Sequence, residues 1–308
     1  MVVYIAKRLI FMVIALFIVA SATFFLIQFL PGSPFNDEKL SDAAQARLEA
    51  KYGLDDPLPM QYARYMGNVA QGDFGDSFYF EGQSVTSVIT DRLPVSAFLG
   101  VQALILGVAV GMPLGVIAAM RHNGFMDYIA VLVSILGYSV PSFVLGPLLQ
   151  YFVGVKLEWL PIAFFDSWAH SILPTLALAA IVVATVARFV RTEMLEVLGQ
   201  DYVTLATAKG LSRWAVVYKH VIRNSLIPLV TVIAPLAVGI LTGSLVIEQI
   251  FAVPGLGEMF VTSIRVNDYF VITGLAMFFS VFFILALLVQ DILYGVIDPR
   301  IRVSGAKE

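Results

Sequence analysis

Charged residues are absent from this chain over six stretches, each long enough for a helix to cross a lipid bilayer. The runs at 9–36, 93–120, 128–155, 167–187, 224–247 and 269–290 hold 28, 28, 28, 21, 24 and 22 residues. A hydrocarbon core of about 30 Å takes roughly 20 apolar helical residues at about 1.5 Å each, so all six qualify. Their Leu, Ile, Val, Phe and Ala show no strict alternation, which favours helices over barrel strands. Only 13% of the 308 residues are charged, against about 25% in a soluble domain. The expectation is an all-α integral membrane protein with six transmembrane helices.

An even number of spans puts both termini on one side. With the termini inside, the short loops hold twelve lysines and arginines inside and two outside; five more lie in the long segment 37–92. The positive-inside rule then places both termini in the cytoplasm. Lys7-Arg8, an apolar stretch and Ala20-Ser21-Ala22 also have the order of a cleavable signal. The apolar run continues through Leu30, however, and a retained first helix is expected.

Two polar segments lie between the spans. In the external one, 37–92, Ser41 can cap a helix Asp42–Tyr52 that Gly53 ends. Asp55-Asp56-Pro57-Leu58-Pro59 and several aromatic residues follow. This suits a small cap on the outer membrane face, or a plain solvated loop. The cytoplasmic segment divides at Gly210. Before it, Asp201–Lys209 reads as a short helix of small residues with an acid at its start. After it, Ser212 can cap a second helix in which Trp214, Val217, Tyr218 and Val221 form one apolar stripe at i, i+3, i+4 and i+7. Such a helix pair fits a groove on a cytosolic partner, or anchors at the interface.

Much chemistry is excluded. None of the seven lysines precedes Ser or Thr, so a P-loop of the GxxxxGK[ST] type is absent. The longest segment outside the runs has 56 residues, about half a typical domain. The three histidines fall in three segments and form no metal-ligand pattern. No acid pair lies mid-membrane; Glu248 and Asp291 sit at span ends, where the interface is within reach. A net charge of −3 argues against nucleic acid. No cysteine is present, so disulfides, thiolate metal sites and lipidation on this chain are ruled out.

Small residues and prolines hint at packing. Gly107, Gly111 and Gly115 form a tandem GxxxG, and Gly239 with Gly243 repeats the spacing. Such faces pack within one bundle or against a second chain. Pro141, Pro147, Pro228 and Pro235 kink or break helices, leaving polar backbone for neighbours or a cavity to satisfy. Tyr138, Ser139, Ser142 and Gln150 are candidates to line that cavity.

The series Asp201-Tyr202-Val203, Ala206, Ala208-Lys209-Gly210-Leu211-Ser212, then Lys219-His220, Arg223-Asn224-Ser225 and Ile227-Pro228 resembles the EAA-type coupling loop of ABC importer permeases. Asp201 stands where many members have Glu. The start of the chain through Leu30-Pro31-Gly32-Ser33-Pro34, then Tyr52-Gly53-Leu54-Asp55, Gly72-Asp73-Phe74-Gly75, Pro254-Gly255-Leu256-Gly257 and Asp298-Pro299-Arg300 resemble the B-type permease of bacterial oligopeptide and dipeptide importers. The resemblance implies a type I importer permease fold in the cytoplasmic membrane. It divides the chain into 1–36 with the first helix, a 37–92 cap, and a 93–308 core with a coupling loop at about 192–225. Asp201, Tyr202, Leu205, Ala206, Ala208, Lys209, Gly210 and Leu211 become the ATPase-coupling residues, with Ala206 expected on the docking face. The implied partners are a second homologous permease, two ATP-binding subunits, an extracytoplasmic binding protein, a peptide substrate and membrane lipid. ATP and magnesium would sit on the ATPases, with no cofactor on this chain. Two other readings are a secondary carrier or channel needing no ATPase, and a membrane scaffold that recruits a cytosolic protein.

Overall fold

A computed structural model describes residues 2–29, 46–47, 50, 52–80, 82–226 and 228–297. Its helices are α1 (Val2–Ile27), α2 (Leu58–Gln71), α3 (Val85–Met120), α4 (Phe125–Ser139), α5 (Ser142–Leu149), α6 (Trp168–Leu198), α7 (Asp201–Ala208), α8 (Arg213–Val216), α9 (Arg223–Leu226), α10 (Leu229–Leu241), α11 (Leu245–Ile250), α12 (Leu256–Arg265) and α13 (Tyr269–Ile297). Two π-helical stretches, Gln150–Lys156 and Val217–Ile222, continue α5 and α8. Among the described residues the only extended pairing is an isolated bridge between Asp76 and Ser84.

Among the described residues, five spans are long and apolar enough to cross a bilayer: Ile10–Ile27, α3, α6, Leu229–Ile250 and Tyr269–Gln290. The third expected span is different. Its run is broken into α4 and the α5 arm, which meet at 102°. The cause is local. Val140 precedes a proline and is extended (φ −87°, ψ 109°), because the proline ring disfavours a helical residue before it. Pro141 then opens α5. Pro147, Pro174 and Pro235 sit inside helices without ending them.

The outer boundary also moves. Ser84 Oγ accepts the N–H of Ser87 at 3.2 Å, and α3 starts at Val85, so the last eight residues assigned to the cap belong to a spanning helix of 36 residues. Of the expected helix Asp42–Tyr52, only 46–47, 50 and 52 are described, and these are helical.

The chain divides into two compact units. The first comprises residues 1–95 and 254–285. Its core is Val85, Val88, Ile89, Leu256, Met259, Val271 and Leu275, ringed by phenylalanines. α1 meets α2 through a 2.7 Å hydrogen bond between the Ser21 and Tyr62 hydroxyls and through stacking of Phe24 on Tyr65. Buried Asp268 opens α13, accepting the Val271 N–H at 3.3 Å on one oxygen. Its other oxygen accepts from the Ser77 hydroxyl (2.5 Å) and the Tyr79 N–H (3.2 Å), pinning the cap loop. A cavity of about 100 Å³ beside α2 is lined by Gln28, Asn68 and Tyr65. Burial, then nearby Tyr62, pushes the Tyr65 phenol up to about 12.

The second unit comprises 96–253 and 286–308. α6 runs through it, with more than half of its most apolar stretch buried against neighbours. The tandem GxxxG packs inside this unit. A methyl group at Gly107, Gly111 or Gly115 would stand within 2.9 Å of Val182, of the Val183 carbonyl oxygen or of the Ala187 carbonyl oxygen, respectively. Small residues are thus what lets α3 lie against the α6 backbone. Glu248 does not reach the interface as its span-end position suggested. It is 1% exposed and accepts the Ser96 hydroxyl at 2.8 Å.

Candidate coupling loop

α6 ends at Leu198, and Gly199-Gln200 turn the chain into α7. Asp201 lies in the first turn of α7, where its charge complements the helix dipole. The helix closes with Lys209 N–H on Leu205 O and Gly210 N–H on Thr207 O, both 3.0 Å. Gly210 then takes φ +81°, a left-handed conformation that costs a side-chain-bearing residue strain. Ser212 Oγ accepts the Ala215 N–H at 3.4 Å and opens the second arm. The two arms are tied where Asn224 Nδ2 donates to Tyr202 Oη at 3.1 Å and to His220 O at 2.9 Å.

The faces are sorted differently from the expectation. Ala206 is only 6% exposed and buried like Val203, so it is not among the exposed side chains of the pair. The apolar stripe Trp214, Val217, Tyr218, Val221 is split. Val217 and Val221 are buried with Val216, while Trp214 (71%) and Tyr218 (76%) are exposed. The π-helical stretch Val217–Ile222 is the reason. A turn closed between residues five apart no longer stacks i, i+3, i+4 and i+7 on one side.

The outward face therefore carries Tyr202, Leu205 (56% exposed), Leu211, Trp214 and Tyr218. Ala208, Lys209 and Gly210 are also exposed along it. Behind it lies a cavity of about 440 Å³ lined by Met120, Leu198, Val203, Thr207, Val216 and Val217.

Three of the four candidate substrate-path residues lie at the break, and Gln150 follows at the end of the next helix. Ser139 ends α4 and Ser142 begins α5, flanking the break; Tyr138 is exposed. Gln150 Nε2 donates to Ile162 O at 2.7 Å and to Ile250 O at 3.0 Å. Its amide thus brackets the backbone of the 157–167 loop to the end of α11. Neither cavity described above is lined by any of the four.

One cluster has no counterpart in the sequence reading. Asp127, in the first turn of α4, is buried against Arg191 of α6. Arg191 Nε donates to Oδ1 at 2.5 Å and Nη2 to Oδ2 at 2.9 Å. In the sequence, Asp127 only bounds the charge-free run 128–155. The sole sequence signal is an acid three residues beyond the glycine of a His-Asn-Gly turn, and its partner lies 64 positions away.

Residues 111–303 match the profile of the binding-protein-dependent transport system inner membrane component, and residues 1–100 match that family's N-terminal component. The chain is 47% identical over 302 residues to the dipeptide transport system permease protein DppB of Lactococcus lactis, covering 98% of this chain and 100% of that one. It is 45% identical over 300 residues to DppB of Bacillus subtilis, covering 97% of each. The oligopeptide transport system permease protein OppB of Haemophilus influenzae is 40% identical over 302 residues, with 97% and 99% covered. Among solved structures, an inward-facing MetNI methionine ABC transporter chain superposes with a TM-score of 0.58 at 16% identity, covering 68% of this chain and 96% of that one. That likeness is one of fold: the type I importer permease.

Proposed function

The chain belongs to the binding-protein-dependent transport system inner membrane components, and we propose that within this family it is the permease subunit that passes dipeptides or oligopeptides through the cytoplasmic membrane. The observation that carries this reading is 47% identity along 98% of the chain to a dipeptide permease. Hydrolysis belongs to partner subunits, which hold ATP and magnesium. A second, homologous permease completes the path, and an extracytoplasmic binding protein delivers the peptide.

The exposed face of Tyr202, Leu205, Leu211, Trp214 and Tyr218 supports a docking role for the cytoplasmic helix pair. Its apolar side chains suit a groove on an ATPase, and its basic neighbours Lys209 and Lys219 suit an acidic rim. Closure of the ATPases on ATP displaces this loop, and α6, which leads directly into it, carries the displacement into the membrane.

The test is purification of the tagged chain from its native membrane in mild detergent, with companions identified by mass. A second multi-span permease and P-loop ATPases are expected, and the recovered complex should import peptide only with ATP. A chain that purifies alone and transports without ATP would establish the secondary-carrier reading instead.

A further inference from the structure

We propose that Asp127 and Arg191 are positioning residues for coupling: their ion pair makes α4 and α6 move as one body, so that a displacement of the cytoplasmic loop reaches the break at Val140-Pro141. The inference rests on the reading of the chain as an ATP-driven permease.

The carboxylate of Asp127 gathers three elements. Both oxygens are held by the Arg191 fork of α6. Oδ2 also accepts the backbone N–H of Asn123 at 2.9 Å, and His122 Nδ1 stands 3.1 Å from the same oxygen. Those two residues form the turn that leaves α3, in which Asn123 takes φ +61°. One buried group therefore fixes the end of α3, the start of α4 and the cytoplasmic half of α6. Arg191 lies seven residues before the end of α6, about 10 Å along the axis from the turn into α7.

The rest of the α4–α6 contact has a different character. A methyl at Gly137 would stand 2.8 Å from the Ala180 carbonyl oxygen and from Ala184 Cβ, and Ala130 and Ser134 are buried on the same helix. Small, smooth side chains hold two helices close but offer little resistance to sliding. A two-point guanidinium–carboxylate contact fixes distance and angle together. Buried ion pairs add little net stability over an apolar replacement, and setting register is their best-attested use. Here the register is between the helix that leads into the coupling loop and the helix that ends at the 102° bend.

The experiment uses the complete complex in proteoliposomes and counts peptide imported per ATP hydrolysed. Asp127→Asn alone leaves the half-buried Arg191 without its counter-charge, so the decisive variant is the double neutral one, Asp127→Asn with Arg191→Gln. Expected is peptide-stimulated hydrolysis near the wild-type rate, with import per ATP down about tenfold, the scale of a typical coupling between sites. Exchanging the charges, Asp127→Arg with Arg191→Asp, should restore part of the ratio. An unchanged import per ATP in the double neutral variant overturns the inference. So does a parallel fall of hydrolysis, import and melting temperature, which marks a pair that only stabilises. A wild-type complex without ATP-dependent import would bring down the functional reading, and this inference with it; wild-type coupling with a fully coupled variant brings down the inference alone.

Discussion

A methyl group on Gly111 would stand 2.8 Å from the Val183 carbonyl oxygen, and one on Gly115 2.6 Å from that of Ala187. Neither backbone atom can step aside without bending α6. Gly111→Leu should therefore lower the stability of the purified chain by about 1–3 kcal/mol, the usual cost of overpacking. Gly239 has nothing within 4 Å of the same position, so Gly239→Leu serves as the control, with no shift in the thermal melting of the isolated chain. Equal shifts for both would remove the tight α3–α6 seam from the account. The spacing of these glycines was legible in the sequence; what they pack against was not. GxxxG specifies a close approach and says nothing of the partner. The same limit applies to Asp127 and Arg191. A pair joined across 64 positions leaves no periodic trace.

At the scale of elements, the cytoplasmic helix pair makes neighbouring substitutions behave differently. Leu205 is 56% exposed and Ala206 6%. Leu205→Glu should leave the chain folded while ATPase recovery in co-purification falls several-fold. Ala206→Glu buries an unpaired charge and should destabilise the loop itself by about 3 kcal/mol or more, seen as faster proteolysis around 199–212. Similar proteolysis of the two variants would contradict the assigned faces. Both helices of this pair and the turn at Gly210 were readable, since glycine and Ser212 punctuate them. The faces were not, because the expected stripe assumed 3.6 residues per turn throughout and Val217–Ile222 departs from it. The bend in the third span was half legible. Pro141 announced a break, yet a charge count cannot tell a kink from a turn of 102°.

At the scale of the molecule, the spans were the most legible feature, because an unpaired charge in hydrocarbon costs several kcal/mol and sequences avoid it. The side of each loop follows from the bias of lysine and arginine. The chain has no cysteine, so one introduced thiol reports one site. Asn68→Cys, on α2 of the external segment, should react with a membrane-impermeant maleimide in intact cells stripped of their outer envelope. Lys209→Cys should react only after permeabilisation. The opposite pattern would invert the orientation and place the exposed aromatic face on the wrong side for a cytoplasmic ATPase. The outcome concerns every loop at once, since with an even count both termini share one compartment.

A hydrogen-bonded ring closed between residues five apart encloses one residue more than an ordinary helical turn. The Val217–Ile222 stretch thus carries a spare residue. Losing one exposed member of it, Lys219 for instance, lets the ring revert to the common spacing while Trp214 before the stretch and Arg223 after it keep their bearings. The same loss within α7 would turn every following side chain by about 100°. Length variation in this loop is therefore unequal: the second arm can give up a residue and keep both its faces, and the first arm cannot.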